Sequence, residues 1–428
     1  MSTRSGFGNI GRRPFLAGLI GVSCARPVTV AELAHEPRAS VALWSWFDLP
    51  VEDARGRELS GIAWDEARRT AWAVGDEVPR IVGLVPDEDL RSWTFGPSVD
   101  VDITNPVTGA REVLDLEGIV VAPDGFVVCS ENGPRVFEVD RGGRLRKEIA
   151  VPPRFLDGRR NKSVESLTRS PSGRYLFVTS EVALHGDGDG ATARLGTRVR
   201  IVRVDALGTP TTEHLHITDP APDEGWDWGV ADLAALGDDD LLVLERGWKA
   251  DVGNAARIYR VKLDERSLCT GTAGLAATRS LAKWLWVDVG DLRATLAPPV
   301  HQPQPNPLLD NYEGMSLGPR LPDGRSSLIL VSDDNGHAEQ IARILVLAFR
   351  SARGSSARLS GARRRSSPSR PGTPPARSSR RTRVGWRSPS RPRSDGFLRI
   401  WVRSSSKRTA RPRPRPSDDA VDELFDEP

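Results

Sequence analysis

Cysteine is scarce in this chain of 428 residues, and long apolar runs are missing. Only Cys24, Cys129 and Cys269 occur. Three cysteines so far apart exclude a disulfide framework and a cysteine-based zinc site, leaving at most one Cys129–Cys269 bridge. Cys129 falls on an inward position of an alternating strand, where a buried thiol is the simpler reading. No internal run approaches the ~20 apolar residues of a membrane-spanning helix, so no transmembrane domain is expected in the mature chain. Helical periodicity is absent as well, which removes a helical core. No Gly-x-Ser-x-Gly nucleophile elbow is read, so a serine esterase of the α/β-hydrolase type is not expected.

Charge is present but divided. The formal net charge is +3, yet residues 351–428 hold 20 Lys+Arg against 7 Asp+Glu, leaving 40 against 50 in residues 1–350. The body is acidic and the tail basic. Runs such as Arg363-Arg364-Arg365-Ser366 and Arg411-Pro412-Arg413-Pro414 cannot bury enough apolar surface to offset the entropy of ordering them. A disordered tail over 351–428 is expected, and no specific nucleic-acid partner, because stacking aromatics are wanting. At the other end, Arg12-Arg13-Pro14-Phe15-Leu16, a short apolar stretch to Val22 and the small residues Ser23-Cys24-Ala25 have the order of a bacterial export leader of the twin-arginine type. Residues 1–30 are read as that leader, and the mature protein as periplasmic or extracellular.

Between these ends one unit recurs five times. An apolar run, a turn, a second run ending in an acid and then Arg-Ile or Arg-Val make up each copy. The first runs begin at Leu59, Leu116, Val164, Val230 and Tyr312; the second end at Asp76, Glu131, Glu181, Glu245 and Asp333; the third begin at Arg80, Arg135, Arg200, Arg257 and Arg343. Turns such as Pro123-Asp124-Gly125 and Arg141-Gly142-Gly143 complete four short strands per copy. Repetition of a four-stranded unit implies an all-β propeller over residues 41–350. Five blades are visible, and the interval Arg260 to Pro307 leaves room for a degenerate sixth. The last unit stops at its third strand, whereas Val41 to Asp48 is a strand with no unit of its own. Closure of the ring by that strand is predicted.

Equivalent residues of successive blades face a common axis, so the acids Glu117, Glu165, Glu313, Glu131, Glu181, Glu245, Asp333 and Asp334 are candidates for one mouth. Such a ring repels itself unless a cation neutralises it, and oxygen ligands in flexible geometry suit Ca²⁺. The competing structural reading pairs Asp76 with Arg80 and Glu131 with Arg135 across tight hairpins. It leaves Glu117, Glu165 and Glu313, with no arginine in register, as the better functional set.

The runs Asp115-Leu116-Glu117-Gly118-Ile119, Asn161-Lys162-Ser163-Val164-Glu165-Ser166-Leu167, Leu244-Glu245-Arg246-Gly247 and Asn311-Tyr312-Glu313-Gly314-Met315 with Val331-Ser332-Asp333-Asp334-Asn335 resemble the family described as having esterase-like activity of phytase. The resemblance implies a propeller, hydrolysis of a small phosphate or carboxyl ester, and a site at those positions. On that basis Glu117, Glu165, Glu313, Asp333 and Asp334 would hold Ca²⁺. Glu245 or Glu313 would act as base, with Arg246 neutralising developing charge and Lys162 and Asn335 joining Arg246 in binding substrate. A monomer is expected. The alternative is a non-catalytic propeller that binds a ligand or partner at its mouth, its carboxylates structural or cation-binding.

Three further groups carry weaker signals. Asp187-Gly188-Asp189-Gly190 imitates the start of a calcium loop, but Arg198 stands where its last ligand should be. His214 and His216 share a strand face without a third ligand nearby. Trp226 and Trp228 suit a loop staple better than a stacking surface.

Overall fold

The computed structural model describes residues 40–350 apart from 105–107, 272–274 and 276. The leader, Cys24 and the tail lie outside the described residues. The protein is a five-bladed β-propeller of five four-stranded antiparallel sheets. From the axis outward, blade 1 is Leu59–Asp65, Thr70–Gly75, Arg80–Pro86 and Trp93–Asp100. Blade 2 is Leu116–Ala122, Gly125–Ser130, Arg135–Asp140 and Leu145–Ile149, and blade 3 is Val164–Arg169, Tyr175–Ser180, Arg198–Asp205 and Pro210–Ile217. In blade 4, Asp227–Ala235, Asp240–Lys249 and Gly253–Lys262 are followed by Lys283–Asp288, which takes the interval that left room for a sixth blade. No sixth sheet forms among the described residues.

Blade 5 joins Tyr312–Leu317, Ser326–Ser332 and Arg343–Phe349 to Ala42–Asp48, the strand that precedes blade 1. The two ends of the repeat region are thereby hydrogen-bonded in one sheet and no blade is left one strand short. The innermost strands touch their neighbours in a closed ring, blade 5 against blade 1 included.

Alternation of apolar residues along each strand gives every blade two buried faces. The apolar clusters lie between blades: Ile62, Ala73 and Val82 pack with Ile329, Val331 and Ile344 across the closing interface, and Val74 and Ile81 pack with Val128 and Phe137 across the next. Cys129 and Cys269 are buried and free, so the conceivable bridge is not formed.

The arginine that opens each third strand has a structural task. It reaches outward to an acid on the fourth strand of its own blade: Arg80 Nε to Asp100 at 2.8 Å, Arg135 to Glu148, Arg200 Nη1 to Glu213 at 3.0 Å, Arg257 Nε to Asp288 at 3.0 Å and Arg343 Nε to Asp48 at 2.5 Å. The predicted hairpin pairs Asp76–Arg80 and Glu131–Arg135 are therefore not made. Each arginine is spent on its outer strand, and in blades 1, 2, 3 and 5 the acid before it, Asp76, Glu131, Glu181 or Asp333, is left to the axis.

Candidate active site

Each innermost strand slips register against the second strand at the same level: between Leu59 and Ile62, Leu116 and Gly118, Val164 and Ser166, Val230 and Asp232, and Tyr312 and Gly314. A bulge leaves a residue unpaired and re-aims its side chain. In blades 2 to 5 that residue is Glu117, Glu165, Ala231 and Glu313; in blade 1 it is the pair Ser60-Gly61. The three glutamates enter one mouth for this reason. Glycine beside the bulge lets neighbouring backbones meet. A Cβ on Gly61 would lie 2.4 Å from the Glu117 carbonyl oxygen, and one on Gly314 2.4 Å from that of Ser60.

The second strands deliver the next row. The backbone N–H of Asp76, Glu131 and Asp333 donates to the carbonyl of Glu58, Asp115 and Asn311 respectively, which puts the three acids in equivalent register. In blade 4 the equivalent of Ser130, Ser180 and Ser332 is Glu245, paired with Val230, so Arg246 takes the place of the acids. One residue of register exchanges the two faces of a strand. Glu245 consequently points away from the mouth. It is fully buried, accepting from Lys283 Nζ at 2.7 Å and the Asp219 N–H at 2.8 Å, with His216 Nε2 at 2.9 Å. The expectation that Glu245 serves as base is overturned by that placement.

The mouth encloses about 510 Å³. Nine carboxylates line it, against the two cationic side chains Lys162 and Arg246. Both cations belong to blades 3 to 5. Lys162 Nζ donates to Glu181 at 3.1 Å and to Asp227 at 2.9 Å, and Arg246 Nη2 donates to Glu313, which also accepts from Asn311 Nδ2 at 2.9 Å. Arg246 Nε is buried without a hydrogen-bond partner among the described residues. Among the described residues no lysine or arginine bonds the mouth carboxylates of blades 1 and 2, Asp76, Asp115, Glu117 and Glu131. Oxygens of Asp115, Glu117 and Glu131 lie within 4.8 Å of one another.

Desolvation and mutual repulsion raise the proton affinity of Asp76, Glu117, Glu131 and Glu165. Burial, then Glu165 and Glu313 beside it, holds Glu117 well above the carboxylate range. Burial pushes Glu131 up to about 8 against the opposing hydrogen bond from the Ser163 N–H, and Asp76 up to about 7 against that from Glu77. Glu165 is raised by burial and then by Glu181, Glu131 and Glu313, and it accepts no hydrogen bond among the described residues. Groups that hold protons more tightly when folded stabilise the fold below their unfolded pKa and lose that contribution as pH rises through the folded value. In chelator, the thermal midpoint is expected to fall by about 5 °C or more between pH 5 and pH 8. A flat or rising profile in differential scanning calorimetry refutes this electrostatic reading.

The remaining candidates divide. Lys162, Arg246, Asn335 and Asp333 line the mouth with Glu117, Glu165 and Glu313. Asp333 Oδ1 accepts from the Asn335 N–H at 2.8 Å, and Asn335 Nδ2 donates to Gln340 at 2.6 Å. Asp334 does not line it: its Oδ1 accepts from the N–H of Glu58 and of Gly336, tying the turn to blade 1. Asp187 is no calcium ligand here but pairs with the fully buried Arg200 at 2.6 Å. His214 and His216 meet different partners, Ser267 and Glu245, and burial pushes His214 down to about 4. Trp228 lies buried in strand Asp227–Ala235 and meets Trp226 of the preceding loop edge to face, ring centres 6.2 Å apart.

Sequence reasoning missed several mouth residues and one motif. Asp115 and Asn311 precede the first runs by one residue, and that repeated polar position was the available signal. Asp227, Trp248 and His337 had none. Gly314-Met315-Ser316-Leu317-Gly318 does spell Gly-x-Ser-x-Gly, contrary to expectation. Ser316 nevertheless lies inside strand Tyr312–Leu317 and accepts from the Trp64 N–H at 3.0 Å, so it is not the strand-to-helix elbow of a hydrolase.

Residues 55–336, which carry every mouth residue except His337 and Gln340, match the phytase-like family model, esterase-like activity of phytase. The chain belongs to this family. A secreted protein of Arthroderma benhamiae, described as uncharacterized, is 30% identical over 139 residues, 25% of this chain and 27% of that one. The alignment thus spans about a quarter of that relative's length. Among solved structures, the allergen Mala s 1 of Malassezia sympodialis is 11% identical, with 71% of this chain and 95% of that chain covered and a TM-score of 0.36. The periplasmic gluconolactonase of Pseudomonas aeruginosa is 15% identical, with 68% and 85% covered and a TM-score of 0.30. Among the described residues no helix is long and apolar enough to cross a membrane.

Proposed function

We propose that the phytase-like mouth hydrolyses a phosphate or carboxyl ester of a small molecule outside the cytoplasm, with a Ca²⁺-type cation at Asp115, Glu117 and Glu131. The carrying observation is that trio, with oxygens within 4.8 Å of one another, in the same cavity as Arg246 and Lys162. Oxygen-only donors suit a hard divalent cation better than a transition metal. When bound, such a cation polarises an ester or phosphoryl oxygen and acidifies water.

The chain's own groups supply the rest. Arg246, which lines the mouth, stabilises the oxyanion that develops, and Lys162 adds a second positive charge to the same cavity. Glu313 is fixed by Arg246 and Asn311, which makes it the group that orients the arginine rather than the base. Outside the trio, Glu165 is the mouth carboxyl with no hydrogen-bond partner among the described residues, so it is the group available to accept a proton from water and return it to the leaving oxygen. Of the calcium ligands expected from sequence, this arrangement retains Glu117 and replaces Glu165, Glu313, Asp333 and Asp334 by Asp115 and Glu131. Export is supported by the leader-like N-terminus and by the secreted relative.

A panel of phosphomonoesters and carboxyl esters, assayed in Ca²⁺ and in chelator, tests the proposal. Turnover of at least one ester class, lost on chelation and restored by Ca²⁺, is expected. Calcium-dependent thermal stability with no turnover of any ester would instead establish the non-catalytic binding propeller.

A further inference from the structure

We propose that the end of the propeller axis opposite the acidic mouth binds a small apolar carboxylate. Beyond the bulges the innermost strands diverge again around a second cavity of about 280 Å³, to which every blade contributes. Its walls are apolar: Ile62, Ile119, Val121, Leu167, Ala235 and Met315. The polar side chains among them are already engaged. Trp64 Nε1 donates to Glu66 at 2.6 Å, Ser316 Oγ accepts from the Trp64 N–H at 3.0 Å, and Thr168 Oγ1 accepts from the Ala235 N–H at 3.2 Å.

Arg169 is the exception. It closes the innermost strand Val164–Arg169 and lines both this cavity and the cleft between blades 2 and 3 that holds Glu138, and its side chain forms no hydrogen bond or ion pair among the described residues. Burial holds its guanidinium below the usual arginine range, and Glu138 opposes that only through space. Arg169 is half-buried, so its guanidinium keeps contact with water but gains from an acceptor at the cavity rim, and its planar fork matches a carboxylate. Five apolar walls and one unspent cation therefore select a ligand with an acidic head and a hydrocarbon body. A volume near the lower end of the ~300–1,000 Å³ usual for ligand sites limits that body to about eight to ten carbons or a single aromatic ring. This site is separate from the mouth and independent of the hydrolysis proposed there.

Isothermal titration of the purified protein with octanoate and with octanol tests the assignment. Octanoate is expected to bind one to one, octanol at least about tenfold more weakly, because a charge-assisted hydrogen bond is lost. Arg169→Met should weaken octanoate to the level of octanol and Arg169→Lys should recover part of it, while chelator and Glu117→Gln leave it unchanged. Circular dichroism checks that the variants fold; should Arg169→Met not fold, the octanoate–octanol comparison on the unaltered protein decides alone. No octanoate binding up to millimolar concentration, or equal affinity for acid and alcohol, overturns the proposal.

Discussion

Glu117→Gln should lower calcium-dependent ester hydrolysis by about 100-fold or more in kcat/KM and at the same time raise the thermal midpoint of the chelated protein. The two effects have one cause. Glu117 sits on the bulge of blade 2, with an oxygen within 4.8 Å of those of Asp115 and Glu131, where burial and repulsion already disfavour its charge. Glutamine keeps the shape and removes the charge, so the cation-free fold loses a source of repulsion. The same change removes a ligand, so the protein also loses the stabilisation that a cation at 100 times its dissociation constant provides, about 2.7 kcal/mol. Activity assays alone would not separate a lost ligand from a damaged fold, but opposite shifts in chelator and in Ca²⁺ do. A variant whose hydrolysis and calcium response both match the parent would remove the trio from the mechanism.

Asp48→Ala should destabilise the whole propeller by about 3–5 kcal/mol, a drop of about 10 °C in the thermal midpoint. Arg343 is fully buried, and its guanidinium is held by both oxygens of Asp48 together with the carbonyls of Pro307 at 2.6 Å and Pro299 at 2.9 Å. Removing the carboxylate leaves a buried charge without its counterion at the one sheet that joins the two ends of the ring. Blade 1 provides the contrast. Asp100→Ala breaks the equivalent pair with Arg80, where the acid is largely exposed, and should cost less than about 1 kcal/mol. Urea unfolding of the two variants compares them directly, and equal small losses would mean that closure does not depend on the buried pair.

Much of this was legible in the primary structure. Strand period, turn residues and the spare strand before Glu58 are local signals, so the propeller and its closure by Ala42–Asp48 could be read from them. Glu117, Glu165 and Glu313 could be read too, because a repeated acid beside glycine or serine marks the bulge. Register was not legible. Blade 4 continues its second strand to Lys249, and Glu245 turns to Lys283 and His216, residues distant in sequence, while Arg246 takes the mouth. Nor were the partners of Arg80 and Arg135, since an arginine four residues after an acid points across a hairpin on paper but lies in a sheet whose next strand offers Asp100 or Glu148.

The sequence by itself determined the repeating four-stranded unit, the strand that closes the ring and the candidacy of the three glutamates, since these are written in neighbouring residues, while the count of five blades was settled by the fold. Tertiary structure decided which acids are neutralised and which are left to a cation. Lys162 meets Asp227 from 65 residues away and Arg246 meets Glu313 from 67, whereas Asp115, Glu117 and Glu131 meet one another. Charge pairing depends on distance and desolvation across blades, and only the closed ring sets both.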